Sequence, residues 1–161
     1  MKKTDNVSRE TYKKNQINDV SRETLDKKYM QIALKEAKKA YYKNEIPVGC
    51  VITYKNKIIS KAHNKKEKNK NCLSHAEILC INKACKKRKN WRLDDCTLYV
   101  TMEPCMMCSG AIKEARIKKI VYGTENIKDG YLNHLNNIKI VQKINEKECK
   151  KLIKSFFKKI R

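Results

Sequence analysis

The sequence predicts an α/β domain built as a three-layer α/β/α sandwich, with helices on both faces of a mixed central sheet. Helical patterns alternate with short apolar segments of strand type in the order αββαβαβ, and a further strand and a closing helix follow. This alternation is typical of layered α/β domains. A chain of 161 residues has the length of one domain, and it can bury a core of its own without disulfides.

The first helix is predicted from position 25. Apolar residues recur there at helical spacing: Leu25, Met30, Leu34, Ala37 and Tyr41. The preceding residues contain few apolar side chains and repeat the sequence VSRET at positions 7 and 20. We therefore predict a disordered or flexible N-terminal arm at residues 1–24 and one folded domain at residues 25–161.

The predicted strands share runs of β-branched and aromatic residues. They are residues 46–54, 58–63, 96–100, 118–123 and 137–144. A turn at Asn56 and Lys57 joins the first two strands into a hairpin.

The remaining helices are predicted from their first residues and their apolar faces. One opens at Ser74, and a second opens with Pro104 at its first helical position. The last helix carries apolar residues from Cys149 to Ile160. The polar stretch at residues 64–71 is predicted to be a loop.

The chain is strongly basic, with 39 Lys and Arg against 17 Asp and Glu and a formal net charge of +22. This charge favours a polyanionic partner, nucleic acid first, although an AT-rich codon bias also raises the number of lysines. No apolar run approaches the roughly 20 residues of a membrane span, and the first residues lack the apolar segment of a signal peptide. We expect a cytoplasmic protein without membrane contact, whose eight cysteines are thiols or metal ligands before disulfides.

The segment TMEPCMMC, residues 101–108, places Cys105 and Cys108 at the start of a helix. Zinc prefers sulfur and nitrogen donors in a tetrahedron, and His75 opens another helix in SHAE. Two helix N-termini that point at one another would bring these three side chains to one Zn²⁺ per chain. Water or hydroxide would take the fourth position, and Glu77 would stand beside the metal as a proton carrier. The pattern H-x-E…P-C-x-x-C is the signature of zinc-dependent nucleobase deaminases.

A closed structural zinc site is the alternative that the residues leave open. Cys72 precedes His75 by three positions, so it could supply a fourth protein ligand. The protein would then be a non-catalytic zinc module that binds RNA. Four other cysteines fall on apolar faces and are predicted to lie in the core: Cys50, Cys80, Cys96 and Cys149.

Longer blocks of the sequence resemble the bacterial-type tRNA adenosine deaminases of the cytidine-deaminase-like zinc deaminase superfamily. In family order these blocks are EIPVGCVI, HAEIL, NWRLDDCTLYVTMEPCMMCSGAI, ARIKKIVYG and SFFKKIR. The resemblance covers residues 25–161 and implies a cytidine-deaminase-like fold and hydrolytic deamination of adenosine to inosine at the wobble position of tRNA anticodons. It implies zinc on His75, Cys105 and Cys108, with Glu77 as the catalytic carboxylate. The implied partners are a tRNA anticodon stem-loop and a second copy of the chain, or a second deaminase-like subunit in a heterodimer.

The resemblance also implies the substrate-binding residues. Asn64, in AHNKK, matches a family asparagine that contacts the base, and Ala76 and Asn126 are expected at the same site. Asn126 stands where many relatives carry an aspartate close to the ribose, which bears on the choice of RNA over DNA. Phe156 belongs to an aromatic pair with Phe157 that matches a pair near the anticodon loop. A deaminase of a free base or nucleoside, of the guanine or cytosine type, would share the metal residues and is the alternative enzyme.

Overall fold

The structure is a computed structural model that describes the backbone of residues 4–161 and the side chains of residues 21–161. It contains five α-helices and five strands over this part of the chain. In chain order these are α1 (Thr4–Tyr41), β1 (Gly49–Tyr54), β2 (Lys57–His63), α2 (Lys66–Asn69), α3 (Ala76–Arg88), β3 (Cys96–Met102), α4 (Met106–Glu114), β4 (Lys119–Thr124), β5 (Lys139–Val141) and α5 (Glu146–Lys159). A short 3₁₀ turn, Leu132–His134, lies between β4 and β5.

The five strands form one mixed sheet in the order β2-β1-β3-β4-β5. β1 pairs antiparallel with β2 and β3, whereas β3, β4 and β5 run parallel to one another. The helical crossover that parallel neighbours require is supplied by α4 between β3 and β4. The predicted mixed sheet is therefore confirmed.

Side chains alternate between the two faces of the sheet, and a helical layer covers each face. On one face Cys50, Leu98 and Ile120 pack against α3 and α4. On the other face Val51 and Val121 pack against α1, which in turn contacts α5. Because both faces are covered, the three central strands consist almost entirely of buried residues, and the predicted three-layer α/β/α sandwich is confirmed.

Helix α1 lies very close to β1, and Gly49 permits this approach. A Cβ atom at position 49 would lie 2.0 Å from the carbonyl oxygen of Ala33 and 2.4 Å from the amide nitrogen of Ala37. Both alanines are fully buried. The small residues at the three positions therefore set the distance between this helix and the sheet.

Two predicted boundaries differ from the structure. Helix α3 begins at Ala76 rather than at Ser74, because His75 adopts an extended backbone and serves as the N-cap. The predicted polar loop at residues 64–71 contains the four-residue helix α2. Its first amide groups donate hydrogen bonds to the Glu45 carboxylate, a contact from outside the segment that stabilises a helix too short to form alone.

The predicted N-terminal arm, residues 1–24, lies largely outside the residues whose side chains the structure describes. Helix α1 begins at Thr4 and continues without a break to Tyr41. The division of the chain at position 24 stays a prediction. Over the described residues, no helix is both long enough and apolar enough to cross a membrane.

Candidate active site

The N-termini of α3 and α4 converge on one side of the sheet, as the sequence predicts. His75 is the N-cap of α3 and Cys105 is the N-cap of α4, and their carbonyl oxygens accept the first helical hydrogen bonds. The His75 Nδ1 atom lies 3.8 Å from Cys105 Sγ and 3.5 Å from Cys108 Sγ. Because each side chain is placed by a helix start, the backbone itself holds the three ligand atoms together.

The three side chains fit a tetrahedral metal ion with sulfur and nitrogen ligands. Their ligand atoms all lie within 4.8 Å of one another. Zinc–sulfur and zinc–nitrogen bonds at tetrahedral angles would separate such atoms by about 3.6 Å, close to the observed 3.5 and 3.8 Å. The predicted set of His75, Cys105 and Cys108 can therefore hold a metal ion, and its soft donors suit zinc.

The protonation of the two thiols differs because of their surroundings. Hydrogen bonds from Cys108 and His75 lower the pKa of Cys105 to about 4. The hydrogen bond to Cys105, burial and the charge of Glu77 raise the pKa of Cys108 well above its ordinary value. The hydrogen bond with Cys105 raises the pKa of His75. A bound divalent cation would favour the thiolate at both cysteines, since its positive charge stabilises their negative forms.

Cys72 does not take part in this cluster. Its side chain is exposed, and over the described residues the ligand set contains His75, Cys105 and Cys108 without it. The cluster therefore has three protein ligands, and the position that a closed structural zinc site would fill with Cys72 stays open. This geometry favours the catalytic type of site over the non-catalytic alternative.

The metal cluster lies at a cavity of about 810 Å³. Glu77, one of the residues that line it, is only 4% exposed. Burial raises the pKa of this carboxyl group, and the charge of Cys105 adds to the effect. A buried carboxyl group beside a metal site is suited to accept and return a proton.

Four predicted substrate-binding residues can be placed relative to this cavity. Asn64, Ala76 and Asn126 line it, next to His75 and Cys105. Phe156 is 3% exposed and packs edge-on against Tyr41. The neighbouring Phe157 is 39% exposed and lines the cavity. The structure thus gives the packing position of the aromatic pair to Phe156 and the cavity position to Phe157, and the predicted substrate contact of Phe156 stays a prediction.

The segment at residues 125–129 forms one wall of the cavity, and Glu103 fixes it in place. The Glu103 carboxylate accepts a hydrogen bond from the Asn126 backbone nitrogen at 3.2 Å. Asn126 Oδ1 accepts one from the Asp129 amide nitrogen, which closes a tight turn. A Cβ atom at Gly130 would lie 2.5 Å from Glu103 Oε2, so glycine permits this close approach.

Basic side chains form the rim of the cavity where α5 passes it. Lys150, Lys154, Lys158 and Arg161 follow one another along this helix and its end, and all line the cavity. Residues four apart in a helix share one face, so Lys150, Lys154 and Lys158 form a continuous edge, and Arg161 lies just beyond the end of the helix.

The sequence analysis missed Glu45, Glu103 and the rim residues Lys150 and Lys154. Glu103 directly precedes Pro104 within the cysteine motif, and Glu45 directly precedes the first predicted strand. The partner of Glu45 is Asn64, 19 residues away, and the partner of Glu103 is Asn126, 23 residues away. Only the folded chain brings these groups together.

The chain is similar to known deaminases over most of its length. It matches the family model described as MafB19-like deaminase at residues 25–161. The tRNA-specific adenosine deaminase of Bacillus subtilis (strain 168) is 40% identical over 148 residues, which covers 86% of this chain and 92% of the relative.

Solved structures give the same answer for the fold. A structure from a study of A-to-I editing by tRNA:A34 deaminases at the wobble position of transfer RNA matches with a TM-score of 0.73 and 31% identity, over 76% of this chain and 96% of that chain. A guanine deaminase from Bacillus subtilis matches with a TM-score of 0.59 and 36% identity, over 62% of this chain and 64% of that chain. The coverage and identity are greater for the adenosine deaminase of Bacillus subtilis, and the chain therefore belongs to the family of tRNA-specific adenosine deaminases, enzymes of the cytidine-deaminase-like fold.

Proposed function

We propose that the protein is a zinc-dependent hydrolase that converts adenosine to inosine at the wobble position of tRNA anticodons. The observation that carries the proposal is the combination of an open His75–Cys105–Cys108 cluster with the buried Glu77 at one cavity. The basic edge of α5 beside this cavity suits an RNA substrate. An anticodon loop presents its bases unpaired, so moving one base into the cavity costs little.

The residues at the cavity have distinct roles in the proposed reaction. Zinc held by His75, Cys105 and Cys108, one ion per chain, would supply a Lewis-acidic centre with one open position that acidifies water. Glu77 takes one proton from the attacking water and delivers it to N1 of the adenine ring, while the water oxygen bonds to C6. Glu77 then transfers the second water proton to the amino group. The bond from C6 to this nitrogen breaks, and inosine and ammonia are the products.

Substrate contacts are proposed for the residues that line the cavity. Asn64 and Ala76 lie beside the metal cluster and contact the base, whereas Asn126 and Phe157 form the outer wall and contact the ribose or a neighbouring base. The Asn126 side-chain oxygen accepts a hydrogen bond from the Asp129 backbone amide, so the side-chain nitrogen Nδ2 of Asn126 is the group available to the substrate. A side-chain N–H can donate a hydrogen bond to the ribose 2′-hydroxyl group of RNA. Because this donor does not need the hydroxyl group in order to be satisfied, we expect DNA to bind as well.

The test of the proposed function is inosine formation in an anticodon stem-loop that carries a wobble adenosine. Zinc-loaded wild-type protein is compared with Glu77→Ala, and zinc content is measured for both. We expect inosine from the wild type, a loss of about 10²–10⁴-fold in the activity of Glu77→Ala, and equal zinc in both proteins. Glu125→Ala is the matched control because Glu125 also lines the cavity but is exposed and pairs with Lys143. Full activity of Glu77→Ala would contradict the proposal.

Deamination of guanine is the second candidate, and the similarity to a guanine deaminase is the observation that favours it. The same protein preparation is therefore assayed with free guanine. Xanthine formation without inosine formation would replace the proposed substrate by a free base while leaving the roles of His75, Cys105 and Cys108 unchanged.

We also propose that the protein acts as a homodimer in the cytoplasm. Leu73 and Met106 support an interface, because both are more than half exposed. Leu73 lies two residues before His75, and Met106 lies between Cys105 and Cys108. Contact with a second copy of the chain would remove both apolar side chains from water. Light scattering after size-exclusion chromatography should give twice the 18.9 kDa of one chain. A monomer that becomes active only with a second deaminase-like chain would indicate the heterodimer instead.

A further inference from the structure

Glu45 is a buried carboxylate for which the proposed reaction has no role. It lies between α1 and β1, is 1% exposed, and does not line the cavity. Burying a charged carboxylate is costly unless hydrogen bonds compensate it. Its hydrogen-bond partners therefore indicate what it stabilises.

Among the residues that the structure describes, the three hydrogen-bond partners of the Glu45 side chain belong to one short segment. The Glu45 carboxylate accepts hydrogen bonds from the amide nitrogen of Lys68 at 2.7 Å and of Glu67 at 3.1 Å, and from Asn64 Nδ2 at 3.3 Å. Two of these donors are the free amides at the start of α2. The third is the side chain that is proposed to contact the base.

We propose that Glu45 is a positioning residue that fixes the orientation of the Asn64 side-chain amide at the cavity. The inference rests on the proposed function, because it assigns a cause to the position of one of its substrate-binding residues. A carboxylate accepts hydrogen bonds and cannot donate them, so the Asn64 nitrogen, and not its oxygen, must face Glu45. Over the described residues no hydrogen bond engages Asn64 Oδ1. The amide oxygen and one N–H thus remain for the substrate.

The backbone on both sides of this contact is also fixed. The Asn64 amide nitrogen donates a hydrogen bond to the Val48 carbonyl at 3.0 Å, and the Glu45 amide nitrogen donates one to the Ala40 carbonyl at 3.0 Å. Neither residue can follow the other if the side-chain contact is broken. Loss of the carboxylate therefore frees the Asn64 side-chain amide to rotate, and it also removes the acceptor of the Glu67 and Lys68 backbone amides in α2.

A double-mutant cycle on inosine formation tests this inference. We expect Glu45→Met to lower kcat/KM about tenfold, because Met has a similar length but offers no oxygen to accept the hydrogen bond from Asn64 Nδ2. If Glu45 acts through Asn64, Glu45→Met should lower kcat/KM by less than about twofold when it is added to Asn64→Ala. Reductions that multiply in full would overturn the inference.

Glu36→Met is the matched control. Glu36 is a buried carboxylate of the adjacent helix, but it hydrogen-bonds His63 at 3.0 Å, and over the described residues no hydrogen bond joins it to Asn64. Its effect, whatever its size, should multiply in full with that of Asn64→Ala. Thermal unfolding of every variant separates loss of folded protein from loss of activity.

A second measurement needs no Glu45 variant. In the zinc-loaded wild-type protein, the side-chain amide protons of Asn64 are identified by NMR from their absence in Asn64→Ala. The inference predicts that one of the two exchanges with water at least tenfold more slowly than the other. Equally rapid exchange of both would overturn it. This result is independent of activity, so a protein that forms no inosine would contradict the proposed function while the orientation by Glu45 is still decided.

Discussion

Three lysines on α5 provide the most direct test of where RNA lies. Lys150, Lys154 and Lys158 follow one another at intervals of four residues and line the cavity. If each contacts one phosphate of a single-stranded loop, each contributes about 0.7 to the slope of log affinity against log salt concentration. Replacing all three with glutamine should therefore reduce the slope by about 2.1.

The size of this change can be measured as an affinity. Between about 50 and 200 mM salt, a slope difference of about 2.1 means that wild-type binding weakens roughly 18-fold more than binding by the triple variant. The assay is fluorescence anisotropy with a labelled anticodon stem-loop at four salt concentrations. The zinc-loaded Glu77→Ala background prevents turnover during the titration.

A control triple variant separates the position of the charges from their number. Lys86, Lys87 and Lys89 lie at the opposite end of α3 from the metal ligands, and all three are exposed. Their replacement with glutamine removes the same charge but should leave the slope nearly unchanged. An α5 triple variant with the wild-type slope, or equal effects of the two triple variants, would refute the placement of RNA along α5.

Three further predictions concern the core, the metal and the substrate. Gly49→Ala should lower the free energy of unfolding by about 1–3 kcal/mol, because its Cβ atom would clash with α1. Gly110→Ala, which has open space around it in α4, should raise the free energy of unfolding by up to about 1 kcal/mol. Urea denaturation measures both changes, and equal effects would contradict the close packing of α1. Cys108→Ala should lower the amount of bound zinc at least about tenfold, while Cys72→Ala should leave it unchanged. Elemental analysis of dialysed protein measures both. Loss of zinc from the Cys72 variant would support the closed structural site with Cys72 as the fourth ligand. For Asn126→Asp, the ratio of kcat/KM on an RNA stem-loop to kcat/KM on a matched DNA stem-loop should rise about threefold or more, because a carboxylate adds an acceptor for the 2′-hydroxyl group. An unchanged ratio would argue against contact between residue 126 and the ribose.

Local patterns were sufficient to predict the sheet and the cluster of His75, Cys105 and Cys108 that can hold a metal ion. The strands are short apolar segments with turns between them, and the zinc signature carries its own spacing, so His75, Cys105 and Cys108 could be paired before their contact was seen. Each strand and each half of the zinc signature is a local pattern, although 30 residues separate His75 from Cys105. The convergence of two helix N-termini then followed from the chemistry of the metal.

Features that depend on distant partners could not be predicted in the same way. Helix α2 has four residues and no apolar face, and its stability comes from Glu45, about 20 residues earlier. Which of the two neighbouring rings is buried depends on the position of Tyr41 across the helical layer, against which Phe156 packs. In each case the local sequence permits several outcomes, and tertiary contacts decide between them.

The metal ligands and the rim of the cavity come from opposite sides of the sheet. His75, Cys105 and Cys108 are carried by helices on one face, whereas the basic edge is carried by α5, which packs on the other. Substitutions of the exposed lysines on α5 therefore leave in place the helix starts that hold the metal ligands. A chain built in this way can change the charge at the rim of the cavity through its last helix while it keeps the same metal-binding cluster.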